Sequence, residues 1–215
     1  MKLAAQGSRR SILIAVAFIY PSASEAHSPI QGMGTFYNHL LHPLVVPSQA
    51  LLLIAIALML GQQGRSIARV GIVSFGLAFA AGLTVATVVT LEGEREWILL
   101  FGALVVGSAV CLDWRIPALL VTFLAAGAGI TTGLDSALST AGLRDTALAA
   151  AGGTVGVLYL TIVIAGLTVA IEKHWQRVAI RIAGSWILAV SIMVLTLSIA
   201  GTAKRTAALT GCVYG

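Results

Sequence analysis

Apolar residues fill six long stretches of the chain, 44–60, 70–91, 97–112, 116–133, 146–171 and 182–201, and the short segments between them carry most of the charge. Within each stretch the apolar residues follow neither a strand's period of two nor a single helical stripe. They cover every face, as a helix surrounded by lipid requires. With about 20 residues needed per crossing, the pattern predicts an all-α polytopic membrane protein: residues 27–215 as one domain, a six-helix transmembrane bundle. The first stretch ends in Gly61-Gln62-Gln63-Gly64, a helix stop.

A shorter apolar run at 11–20 differs from the six. Lys2, Arg9 and Arg10 precede it, Pro21 follows it, and Ser24-Glu25-Ala26 sets small residues three and one positions before a cleavage point. That is the layout of a secretory signal peptide over residues 1–26. A run of this length is too short to span a hydrocarbon core of about 30 Å. Export combined with many spans predicts the bacterial inner membrane, with the mature chain starting at His27 on the periplasmic side. Loops 61–69, 113–115 and 172–181 then face the cytoplasm with Arg65, Arg69, Arg115, Lys173, Arg177 and Arg181, while Arg95, Arg144, Lys204 and Arg205 lie outside. The basic excess has the sign of the positive-inside rule.

Composition narrows the function. The chain is 58% hydrophobic and 10% charged, against about 25% charged residues in a soluble domain, which excludes a soluble enzyme, a disordered chain and a fibrous repeat. The net charge of +5 is spread over short loops without interleaved aromatics, so nucleic acid is excluded and the lipid bilayer is the expected partner. Cys111 and Cys212 form no spaced motif, hence no disulfide framework and no zinc site. Ala103 and Gly107, Gly129 and Gly133, and Gly152 and Gly156 are each four apart. That spacing lets helix backbones approach closely, either inside one bundle or across a homo-oligomer interface.

Candidate chemistry concentrates in residues 36–49, FYNHLLHPLVVPSQ. His39 and His42 share a face if helical. Pro43 biases His42 away from helical geometry and leaves the His39 carbonyl without its helical donor; Pro47 does the same to the Pro43 carbonyl. The entrance to the first span is therefore expected to be irregular, a backbone state tolerated at membrane depth only inside protein or beside a wet cavity. Imidazoles with carbonyls suit a nickel, copper, zinc or iron ion. The competing reading is two amphipathic side chains at the interface. Gln49 would sit about 10 Å deeper on a continuous helix, as a weaker station. Binding through imidazoles should fail as pH falls through about 6.5, where such rings protonate.

Asp135, just after the fourth stretch, is the carboxylate nearest the membrane on that side and would complete a cation site with the histidines. Its alternative is helix capping by Asp135 or Ser136. Glu92, Glu94 and Glu96 read as an acidic collar at the outer mouth or as a solvated loop. His174 reads as an interface anchor. His27, at a new amino terminus, could chelate through its amine and ring.

The stretch beginning Ala26-His27-Ser28-Pro29-Ile30-Gln31-Gly32, the run His39-Leu40-Leu41-His42-Pro43-Leu44, and the ending Leu58-Met59-Leu60-Gly61-Gln62-Gln63-Gly64 resemble the HupE/UreJ family. The segment Arg181-Ile182-Ala183-Gly184-Ser185-Trp186 is similar to the start of that family's last helix. The resemblance implies six spans behind a signal peptide and an association with nickel or cobalt handling for hydrogenase and urease. The family pattern near the first span is close to H-P-x-x-G-x-D-H. Here His42 and Pro43 match it, Ser48 stands where Asp is expected and Gln49 where the second His is expected. Phe79-Ala80-Ala81-Gly82-Leu83-Thr84 has no counterpart of the family's second-span histidine.

Three function classes follow. A secondary transporter would carry a divalent transition metal, nickel or cobalt, through His39, His42, Gln49 and Asp135, with no resident cofactor. A non-transporting accessory subunit of a membrane complex would keep the fold without the ligands. An intramembrane serine protease would need Ser185 with His174 as its base, and the chain has no G-x-S-x-G. The absence of G-x-x-x-x-G-K-[ST] means that any transport is driven by a gradient or by a partner.

Overall fold

The computed structural model describes residues 34–88, 96–136 and 142–213, with side chains described only as far as residue 201 in the last segment. All belong to one unit, Gly32–Gly215. The expected signal peptide, His27, Glu92 and Glu94 lie outside the described residues. Among the described residues there are seven helices and no strand: α1 Thr35–Val45, α2 Pro47–Gln62, α3 Arg65–Val88, α4 Glu96–Leu112, α5 Ala118–Asp135, α6 Leu143–Val169 and α7 His174–Val213.

Four of these, α3, α5, α6 and α7, are each long and apolar enough to cross a membrane. Helices α1 and α2 meet that test only as a pair, bent by 77°. Helix α4, with 17 residues, is roughly 26 Å long at 1.5 Å per residue. Large apolar side chains such as Leu77, Phe101, Phe123 and Leu167 are exposed on the outside of the bundle, an arrangement stable only in lipid. The protein is a multi-pass membrane protein of all-helical architecture.

The first span is not the single helix expected over 44–60. His42 and Pro43 lie inside α1, so Pro43 does not push His42 out of helical geometry. The chain breaks instead at Val46, with φ −89° and ψ 109°. Pro47 holds the residue before it extended and itself starts α2, where its missing N–H has no helical partner to lose. Helix α1 tolerates Pro43 because it is clamped against α6. A Cβ on Gly152 would overlap the Phe36 carbonyl, and one on Gly156 would overlap the Leu40 carbonyl.

Helix α2 is the buried centre. Ser48, Gln49, Leu52, Leu53 and every residue from Ala55 to Gly61 are buried, and α2 touches each of the other six helices. Around it the helices pair as α1 with α6, α3 with α5, and α4 with α7. The small residues lie in these seams. Gly129 and Gly133 meet the α3 backbone at Phe75 and Phe79, and Gly107 faces Gly184 and Ile187 of α7. At these positions the four-residue spacing serves packing within one chain.

The C-terminal end of α2 meets the turns that precede α5 and α7, where Asp113, Ile171 and Arg177 line one cleft with Gly61, Gln62 and Gly64. Gln62 Nε2 donates to the Val110 carbonyl at 3.1 Å and Gln63 Nε2 to the Trp114 carbonyl at 2.9 Å, while the Ile116 N–H donates to Gln63 Oε1 at 3.2 Å. Arg181 Nε donates to the Cys111 carbonyl at 2.9 Å. The Gln62-Gln63 pair is thus more than a helix stop; its amides pin the turn between α4 and α5. The three loops expected on one side of the membrane do gather at one end of the bundle.

Candidate cation site

The opposite end of α2 holds the predicted site residues. Gln49, in the first turn of α2, is fully buried at 0% exposure, and Ser48 beside it is buried as well. Gln49 Nε2 donates to Asp135 Oδ2 at 2.7 Å, a charge-assisted contact between α2 and the last residue of α5. The carboxylate accepts, so the amide must present its nitrogen and turn its oxygen elsewhere. That oxygen, Gln49 Oε1, is buried with no hydrogen-bond partner. An unpaired amide oxygen in such a place costs about 1–3 kcal/mol and is open to a donor or a cation.

The histidines lie on α1, with ring centroids 6.4 Å apart and planes inclined by 33°. His39 Nδ1 sits 2.9 Å from the Thr35 carbonyl. A carbonyl only accepts, so Nδ1 carries the proton in that bond, and in the neutral ring Nε2 is the nitrogen with the lone pair. Backbone-anchored imidazoles of this kind are how proteins orient metal-binding histidines. Both rings line a narrow cleft of about 10 Å³ with Phe79, Leu83, Ser136 and Gly153, space for about one water molecule or a bare ion. A Cβ on Gly153 would stand 3.8 Å from the His39 carbonyl, whose helical donor Pro43 has removed.

The four predicted residues therefore form two contacts at one end of the bundle. The histidines share the cleft, and Gln49 holds Asp135. Ser136, adjacent to Asp135 in the chain, lies on the cleft wall. Neither Asp135 nor Ser136 starts a helix among the described residues: Asp135 ends α5 and Ser136 caps it, with its hydroxyl donating to the Thr132 carbonyl at 2.8 Å. The depth expected for Gln49 needs correction, because a 77° bend separates it from the histidines and the rise of one helix no longer measures the path. No group of three or more His, Cys, Asp or Glu among the described residues is placed to hold a metal ion.

Several contributors escaped the sequence reading. Phe79 and Leu83, nearly fully buried at 1% and 3% exposure, lie in the 79–84 stretch noted above for its missing histidine, and here they supply an apolar wall. Gly153 carried a signal, since it doubles Gly152 beside a helix-packing position, but its contact with α1 needed the fold. Among the other candidates, Glu96 is exposed at the start of α4 and His174 is exposed at the start of α7. Ser185 donates to the Ile182 carbonyl at 2.7 Å. It shares α7 with His174, eleven residues or roughly 16 Å along the axis, so the two cannot form a nucleophile and base.

A family model described as HupE / UreJ protein matches residues 14–203. No similar curated protein and no similar solved structure was found.

Proposed function

Because the chain belongs to the HupE/UreJ family, which is associated with nickel and cobalt handling, we propose that it is a permease for a divalent transition metal, nickel or cobalt. In this reading it crosses the bacterial inner membrane six times, with α1 and α2 as one broken span and α4 as a short one. Residues 1–26 are removed, and the amino terminus of the 27–215 domain is periplasmic. The cation meets His39 and His42 first and passes to the Gln49–Asp135 pair, moved by a gradient or a partner. It is cargo, and no resident cofactor is invoked.

The observation that carries this reading is the buried, unpartnered Gln49 Oε1 on an amide held by Asp135. A broken helix with polar groups at the break is a recurrent way of building an ion station within a membrane. The set is weak: two imidazoles, an amide oxygen and a carboxylate already engaged by a donor. Weak binding suits passage better than storage, because a transported ion must also leave.

A second reading, an accessory membrane subunit without transport, is favoured by the apolar Phe79 and Leu83 in the cleft wall. Uptake of radioactive nickel or cobalt separates the two. Cells carrying the gene should accumulate metal above cells lacking it, His42→Ala should abolish the difference, and His174→Ala should keep it. Equal accumulation with and without the wild-type gene would leave the accessory reading, whose mark is co-purification with another membrane complex.

A further inference from the structure

At the end of the bundle away from the histidines, a groove of about 200 Å³ lies between α3 and α6. Its walls are Ala68, Ile72, Ile162, Ala165 and Gly166, and its mouth is framed by Arg65 and Arg69. The two arginines are four apart in the first turns of α3, so they stand on one face. Both are exposed, and among the described residues neither guanidinium has an ion-pair or hydrogen-bond partner. The groove itself is open: a Cβ added at Gly166 would meet nothing within 4 Å.

An apolar slot on the outside of a membrane bundle accepts an acyl chain of any lipid. Two unpaired guanidiniums at its mouth add a requirement, because their planar donors match phosphate oxygens in pairs. The positive end of the α3 backbone points the same way. We propose that this groove is a site for one anionic phospholipid, with a chain along Ile72, Ile162 and Gly166 and the headgroup phosphate between Arg65 and Arg69. The charge complementarity of the mouth selects the lipid, and the groove holds it. This site is independent of the cation pathway.

Each arginine near a bilayer surface favours an anionic headgroup by about five-fold, so the pair should give about a 25-fold preference. The test is native mass spectrometry of the purified full chain, released from micelles holding equal amounts of phosphatidylglycerol and phosphatidylcholine. The wild type should retain one phosphatidylglycerol with a preference of that size. The double variant Arg65→Gln/Arg69→Gln should fall to near parity. The double variant Arg65→Lys/Arg69→Lys, which keeps the charge, should retain most of the preference and control for folding. Gly166→Leu fills the groove and should reduce retention of both lipids. Glycerol 3-phosphate, which has the phosphate without the chains, should not bind. Equal retention of the two lipids by the wild type would overturn the proposal. So would binding of glycerol 3-phosphate with lipid retention unaffected by Gly166→Leu, which would leave a phosphate site without a lipid.

Discussion

Removing one partner of the Gln49–Asp135 contact should have unequal consequences depending on which partner goes. In Asp135→Ala, Gln49 stays fully buried and now has two unpaired polar atoms, Nε2 as well as Oε1. A charge-assisted bond is worth about 1.5–3 kcal/mol in water-soluble proteins. Interhelical bonds in membranes average about 0.6 and reach about 1.7 kcal/mol, because the unfolded chain in lipid finds partners too. Gln49 is fully buried and Asp135 half-buried, which places this bond at the upper end of the membrane range, so the expected loss is about 2 kcal/mol. In Gln49→Leu the same bond disappears, but the orphaned Oε1 goes with it and an apolar side chain enters a buried position. The half-buried Asp135 loses its donor but can turn to water on its exposed side, so these terms largely offset and the net change should stay within about 1 kcal/mol of zero. Once Gln49 is leucine, Asp135→Ala should cost little, giving a coupling of about 1–2 kcal/mol in the double-mutant cycle. The assay is unfolding in mixed micelles titrated with sodium dodecyl sulfate, read by helical circular dichroism. Metal uptake by the same variants supplies the second readout: Gln49→Leu should fold and fail to transport. Strictly additive effects would refute the hydrogen bond. A Gln49→Leu protein with normal uptake would refute the role given to its amide oxygen.

Gly156→Leu should lower stability by about 2 kcal/mol or more, or prevent accumulation, since its side chain would collide with the Leu40 carbonyl and such overpacking typically costs 1–3 kcal/mol. Gly127→Ala, with nothing within 4 Å, should be neutral or stabilising by at most about 1 kcal/mol; thermal unfolding in detergent compares the two. Gln63→Ala should cost about 1–2 kcal/mol by releasing Trp114 and Ile116, with faster hydrogen exchange confined to the turn between α4 and α5. Intact-mass measurement of the purified chain should give an amino terminus at His27, and a retained Met1 would overturn the cleavage.

The membrane class, the approximate positions of the apolar helices and the family were legible in the chain itself. They depend on local quantities: about 20 consecutive apolar residues decide a crossing, and short strings such as His42-Pro43 and Gly61-Gln62-Gln63-Gly64 decide the resemblance. The small-residue pairs were legible as packing positions for the same reason, although not their partners. Where the first span breaks was only half legible. Two prolines compete at 43 and 47, and local preference alone favoured an irregular backbone at both. The contact of α1 with α6 made helix affordable through Pro43 and left the break to Val46–Pro47. The candidate site depended on tertiary structure most of all. Gln49 and Asp135 are 86 residues apart, and nothing in either neighbourhood says that a buried amide and a helix-end carboxylate will meet. That meeting is decided by α2 occupying the centre of the bundle, where every side chain, polar or not, must find its neighbours among the surrounding helices.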